Sequence, residues 1–157
     1  MDKPADAIVY LDASIDISAS PDAVYDVVTD ISRVGEWSPE ATGGRWIDDG
    51  TGKVGDWFSG DNSAGGREWT RECEVMAAER GRDFTFVVGG AENNRTWWSY
   101  EMAPSDSGTT LKEKWWVVEK PPIWLDRSEE DFQQRVAFTL DSILQTLDGI
   151  KAAAEGG

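Results

Sequence analysis

Ser128-Glu129-Glu130-Asp131-Phe132-Gln133-Gln134-Arg135-Val136-Ala137-Phe138-Thr139-Leu140-Asp141-Ser142-Ile143-Leu144-Gln145-Thr146-Leu147-Asp148-Gly149-Ile150 sets the architecture of the chain. Ser128 carries a hydroxyl where a helix N-cap is needed, and three carboxylates follow in the first turn, at the positive end of the helix dipole. Phe132, Val136, Leu140, Ile143, Leu147 and Ile150 recur at steps of three or four. This spacing predicts a helix of roughly six turns with one apolar stripe. Ala152 to Gly157 is expected to fray. The stripe needs an apolar surface to lie on, and the residues before it supply one.

Upstream of Pro121-Pro122, from Ala41 to Val118, short strand-forming runs alternate with glycine, asparagine and aspartate. Strands are predicted near 44–48, 53–60, 67–78, 82–89, 95–103 and 109–118, with turns such as Asp49-Gly50-Thr51-Gly52 and Ser63-Ala64-Gly65-Gly66 between them. Connections this short make an antiparallel meander, because parallel strands need long crossovers. Nearer the N-terminus, Val9, Leu11, Ala13, Ile15 and Ile17 alternate with Tyr10, Asp12, Ser14 and Asp16, the pattern of a half-buried strand over 8–18. Ser20-Pro21 then reads as N-cap and first helical residue, and Val24, Val27, Val28 and Ile31 give a short amphipathic helix over 21–30. A second helical turn runs from Asp30 to Trp37 and is stopped by Pro39. The order is strand, two short helices, six strands, long helix. It predicts an α+β fold, a curved seven-stranded antiparallel sheet with the long helix on one face. At 157 residues the chain fits a single domain with its core over about 8–150.

Composition narrows the chemistry. There is no histidine, which excludes Ser-His-Asp and Cys-His catalysis and histidine-ligated metal or haem. Cys73 stands alone, so neither an internal disulfide nor a thiolate metal cluster forms within one chain, and it is expected as a small inward strand residue. Phosphate-binding glycine loops, dinucleotide fingerprints and calcium loops are missing, and Asp48-Asp49 reads as a turn pair. No metal and no cofactor are expected. The formal charge of −15 opposes nucleic-acid phosphates and anionic membrane surfaces. No stretch approaches the ~20 apolar residues of a membrane span, so no stable membrane insertion is expected. Met1 to Asp6 lacks the basic start and apolar run of a signal peptide, so a cytoplasmic location is expected, as monomer or homodimer.

Three stretches carry a resemblance. The run Ala19-Ser20-Pro21-Asp22-Ala23-Val24-Tyr25-Asp26-Val27-Val28-Thr29-Asp30-Ile31-Ser32-Arg33-Val34-Gly35-Glu36-Trp37-Ser38-Pro39-Glu40 resembles the opening of polyketide cyclase/dehydrase-like proteins of the START-like (helix-grip, SRPBCC) superfamily. Gly65 to Val75 and Thr109 to Trp115 are similar to a central strand and the last strand of that family. The resemblance implies a helix-grip fold with a tunnel-like cavity for apolar molecules between sheet and helix. The superfamily hosts carriers, sensors and enzymes on one scaffold. The implied function is binding of a hydrophobic small molecule (lipid, isoprenoid or polyketide-like) as carrier or sensor. The alternative is a polyketide aromatase/cyclase or dehydratase acting by enolisation in the same cavity.

Strand parity assigns the inner faces. Trp69, Arg71, Cys73 and Val75 oppose the polar set Glu68, Thr70, Glu72 and Glu74, and so point inward with Phe84, Phe86, Val88, Trp98, Tyr100, Met102, Leu111, Glu113, Trp115 and Val117. The expected ligand wall is Trp69, Arg71, Phe84, Phe86, Trp98, Tyr100, Glu113 and Trp115 on the sheet, with Phe132, Val136 and Leu140 on the helix. Arg71 and Glu113 are charges on apolar faces. They form an ion pair across the interior, serve as polar handles for a ligand's carbonyl or hydroxyl, or reach solvent through a slipped register. In the enzymatic alternative Arg71 steadies an enolate oxygen while Glu113 or Tyr100 moves the proton. Among nine tryptophans, Trp37 and Trp124 either pack or line the cavity mouth. Trp97 and Trp116 on the outer face either pair across strands or mark a contact surface for an interaction partner.

Overall fold

The computed structural model describes residues 3–156. β1 (Val9–Ile17) is followed by α1 (Pro21–Val28) and a 3-10 helix (Ile31–Glu36). Then come β2 (Ala41–Trp46), β3 (Trp57–Ala64), β4 (Arg67–Glu79), β5 (Asp83–Val88), β6 (Thr96–Ser105) and β7 (Gly108–Val117). A four-residue helix, α2 (Pro122–Leu125), precedes α3 (Glu129–Gly156). The strands form one curved antiparallel sheet in the order β1-β7-β6-β5-β4-β3-β2. The meander therefore runs edge to edge, and the helical segment between β1 and β2 crosses the whole sheet. The core lies between the sheet's inner face, α1 and α3, where Ile17, Val24, Val75, Leu111, Ile143, Leu147 and Ile150 are almost fully buried. No helix among the described residues is long and apolar enough to cross a membrane.

The N-terminal boundaries follow the sequence signals. The Ser20 hydroxyl accepts the Ala23 amide at 3.1 Å, with Pro21 in the first turn. The β3–β4 hairpin closes at Gly65 and Gly66, both at positive φ (57° and 79°), the conformation that a two-residue turn of the favoured hand requires. Two predicted strands are displaced. The run expected at 44–48 lies at 41–46, and the run expected at 53–60 lies at 57–64. Between them the Asp56 carboxylate accepts the amides of Thr51 (2.9 Å), Gly52 (3.1 Å) and Lys53 (3.0 Å), closing residues 47–56 into a loop. The amides of Lys53 and Thr51 hold the Asp56 pKa below its ordinary value. A loop built by one carboxylate from its own neighbours leaves no period for pattern reading to find.

The C-terminal helix departs from expectation twice. It continues to Gly156 instead of fraying at Ala152 (Gly157 lies outside the described residues). Lys151 donates to the Asp16 carbonyl (2.9 Å) and to Glu155 (2.6 Å), and Glu155 accepts the Ser18 amide at 2.8 Å. The last turns are thereby fastened to the end of β1. The helix is also rotated relative to the predicted stripe. Its buried residues are Phe132, Thr139, Ser142, Ile143, Thr146, Leu147 and Ile150, whereas Leu140 is 37% and Leu144 48% exposed. At ~100° per residue Leu140 sits about a quarter turn from the line through Phe132, Thr139, Ile143 and Ile150, so the sheet cannot cover it.

The outer face decides between the two roles open to its tryptophans. Trp97 and Trp116 are opposite one another in the β6–β7 register, and both are buried. Ala7, Met76 and Val118 pack around them, and Lys3 lies 5.9 Å from the Trp116 ring while bridging Asp83 (3.0 Å) and Glu101 (3.3 Å). Of the two roles open to these indoles, the register gives the cross-strand pair, and the N-terminal segment covers them, so they offer no contact surface.

Candidate functional site

Sheet and helix do not interlock completely. They leave a cavity of about 270 Å³ whose walls come from β2 to β7, α3, the 3-10 helix and α2. Trp69, Arg71, Phe84, Phe86, Trp98, Tyr100, Glu113, Trp115 and Phe132 all line it, as parity placed them. Val136 and Leu140 do not. Val136 packs against the core, and Leu140 is turned to solvent by the rotation of α3. The part of α3 that faces the cavity is Phe132, Arg135, Ser142 and Thr146. The sheet side of the cavity is therefore aromatic, and the later turns of α3 present the small polar Ser142 and Thr146 to it.

Register fixes the aromatic floor. Trp98 lies opposite Trp115 with ring centroids 5.8 Å apart, and Phe86 packs edge-on against Phe58 at 5.0 Å and beside Phe84 at 5.8 Å. Trp124 of α2 meets Phe132 at 6.1 Å, closing the floor towards the start of α3. Trp37, Trp69 and Trp124 line the cavity as well. Such tilted and edge-on contacts suit aromatic quadrupoles and hold the rings in place.

The two out-of-place charges part company. Arg71 lines the rim and is exposed, its Nη1 donating to the adjacent Thr70 carbonyl at 3.2 Å. It makes no ion pair with Glu113, which removes one of the alternatives that the sequence left open. A long arginine stem on the rim carries its charge into water, which costs less than burying it. Glu113 stays inside and is 3% exposed, and its Oε1 has no hydrogen-bond partner among the described residues. Burial raises its pKa to about 8, and the Tyr100 hydroxyl, opposite it in the strand register, opposes this more weakly. Tyr100 is itself pushed well above its ordinary value by burial and by the carboxyl beside it. Cys73, buried on the same wall, is raised to about 12 by desolvation, which leaves it an unreactive thiol near neutrality.

Sequence reasoning missed one feature of the site. Arg135 on α3 forms a two-pronged pair with Glu40, Nη2 to Oε2 at 3.0 Å and Nη1 to Oε1, where the chain leads into β2. Glu40 is buried and held in place by its own backbone, its carbonyl accepting the Ser63 amide at 2.8 Å. Partners 95 residues apart leave no local signature, and only the fold brings them together at the cavity wall. Arg135→Ala leaves a buried carboxylate without its partner and is expected to lower stability by roughly 2 kcal/mol. Urea unfolding at pH 7 checks this, with Glu40→Gln/Arg135→Gln as the paired control that should lose less.

Comparison with known proteins places this geometry. The family described as polyketide cyclase / dehydrase and lipid transport matches residues 9–155. No curated protein matches the chain. Among solved structures, the Polyketide_cyc-like protein Cgl2372 from Corynebacterium glutamicum is 33% identical, with 93% of this chain and 91% of that one covered and a TM-score of 0.67. The di-domain ARO/CYC StfQ from the steffimycin biosynthetic pathway is 16% identical with a TM-score of 0.74, and the match takes in 96% of this chain but 52% of that two-domain protein. Ara h 8.0201 is 12% identical, with 95% and 99% covered and a TM-score of 0.66. The last two likenesses are of fold alone.

Proposed function

Because the chain belongs to the polyketide cyclase / dehydrase and lipid transport family, we propose that it binds a hydrophobic small molecule (lipid, isoprenoid or polyketide-like) in the cavity under α3, as a carrier or sensor. The observation that carries this reading is the aromatic-walled cavity itself, about 270 Å³ of space inside an otherwise close-packed domain. Cavities of this kind bind apolar molecules because the walls are already desolvated and the rings already fixed. The high pKa of Cys73 and the lack of histidine leave the cavity without a thiolate or a histidine-activated hydroxyl, which favours binding over covalent chemistry.

A glycine in the wall provides the test. Gly60 on β3 lines the cavity, and a Cβ placed there meets nothing nearer than 3.9 Å. Gly60→Leu is expected to reach into the space from a Cβ that itself meets no close neighbour, retaining the fold while weakening uptake of N-phenyl-1-naphthylamine at least about tenfold, the loss equivalent to one well-buried contact. Fluorescence titration of both proteins reads the difference. Equal uptake by Gly60→Leu and the parent would end the reading.

A second reading is favoured by one observation, the buried Glu113 with a pKa near the operating range of a general acid or base and Tyr100 beside it. In that reading the protein is a cyclase or dehydratase, with Glu113 moving the proton that enolisation requires. Arg71, at the exposed rim, is placed to meet a ligand's outer end. Loss of turnover of an offered polyketide chain in Glu113→Gln, with ligand uptake intact, would separate this reading from pure binding.

A further inference from the structure

We propose that the cavity is selective for an apolar ligand bearing one uncharged oxygen, a ketone or a hydroxyl, which the carboxyl of Glu113 engages directly. This inference rests on the binding reading above and names the class of molecule it concerns. The geometry behind it is specific. Glu113 is on β7, between Ala13 of β1 and Tyr100 of β6 in the sheet register, and its side chain lines the cavity. Its Oε1 is buried and has no hydrogen-bond partner among the described residues. A polar atom in that position carries a desolvation cost which a hydrogen bond from or to a ligand removes.

The surroundings decide the charge state. The other titratable and charged groups on the cavity wall are Tyr100 on β6, Cys73, Arg67 and Arg71 on β4, Arg135 on α3 and Glu40 before β2. None of the arginines forms an ion pair with Glu113. Arg135 is engaged by Glu40, and Arg67 and Arg71 are exposed, Arg67 lying 5.0 Å from the Trp69 ring. A carboxyl buried among indoles and phenyls without a cation keeps its proton near neutral pH. In that state it is a donor through O–H and an acceptor through C=O, which matches a ketone or an alcohol. A fixed carboxylate among the same rings would instead suit an organic cation. The missing counter-ion distinguishes the two.

The test compares octane, 2-octanone, 1-octanol and octyltrimethylammonium as competitors for a bound fluorescent naphthylamine, in the parent, Glu113→Leu and Glu113→Gln. The preference for 2-octanone over octane is expected to fall about tenfold in Glu113→Leu, the value of one buried hydrogen bond, and to be kept within about threefold in Glu113→Gln. An unchanged preference in Glu113→Leu overturns the inference, as does a parent that takes octyltrimethylammonium ahead of the ketone. Should Glu113→Leu fail to fold, the carbonyl stretch of 13C-labelled 2-octanone bound to the parent decides. A shift to lower wavenumber than in hexane supports the hydrogen bond, and an unshifted band overturns it. If octane and 2-octanone both enter with a Glu113-independent preference, only this inference fails. If neither the naphthylamine nor any competitor enters, the binding reading fails with it.

Discussion

Glu113→Gln is expected to stabilise the protein by about 3 kcal/mol at pH 7, from the raised pKa of about 8 against an ordinary value of 4.5. The folded protein binds the Glu113 proton more tightly than the unfolded chain does. Between the two pKa values the folded state therefore holds more protons, and its stability falls as pH rises. The contribution of protonated Glu113 is fully present below pH 4.5, is lost progressively up to about pH 8, and changes no further above that. Glutamine keeps the shape and never ionises, so the variant should lack this slope. Urea unfolding of both proteins at pH 5, 7 and 9 measures it. The two curves should nearly meet at pH 5 and separate most at pH 9. Parallel pH dependence would mean that the carboxyl is solvated or paired.

Gly149→Ala reverses the usual sign of a helix substitution. On propensity alone, alanine in the middle of α3 would add about 1 kcal/mol. Here a Cβ at position 149 would lie 2.4 Å from Cβ of Trp37, 2.7 Å from its Cα and 3.1 Å from its carbonyl oxygen. Those atoms belong to or adjoin the backbone that ends the 3-10 helix and cannot swing aside. The variant is expected to lose roughly 2–3 kcal/mol net, since overpacking of this kind exceeds the propensity gain. The damage should extend to the cavity, because Ile31, Val34 and Trp37 all contribute to its wall. Thermal melts of the variant against the parent give the answer, and a higher Tm would show that α3 does not rest on Trp37 at Gly149.

The sequence made some levels of this structure legible and hid others for identifiable reasons. The period-two alternation of β1 and the serine-proline start of α1 are local signals, and the elements form where those signals lie. The inner face of β4 was readable because its outward residues Glu68, Thr70, Glu72 and Glu74 are too polar to bury, and the irregularity in the β4–β5 register falls between Val75 and Ala77, beyond the cavity residues. The face of α3 was misjudged because large apolar residues were weighted over threonine and serine. The structure buries Thr139, Ser142 and Thr146 ahead of Leu140, satisfying the Thr139 hydroxyl with the Arg135 carbonyl at 2.9 Å. Hydropathy does not register that a small polar side chain can satisfy itself within its own helix. Arg71 and Glu113 share an inward parity, and parity does not say where along a strand the sheet stops being covered. The Glu40–Arg135 pair and the cover over Trp97 and Trp116 are products of tertiary structure with no counterpart in local pattern.

The fastening of Lys151 and Glu155 to Asp16 and Ser18 makes α3 a beam clamped at one end. Towards its start, α3 is held by two ion pairs, Glu129 with Lys120 just after β7 and Arg135 with Glu40 just before β2. A clamped beam deflects most at its less fastened end, which here is the end that carries Arg135. Releasing those two ion pairs would loosen that end, while Lys151 and Glu155 keep the other fastened to β1.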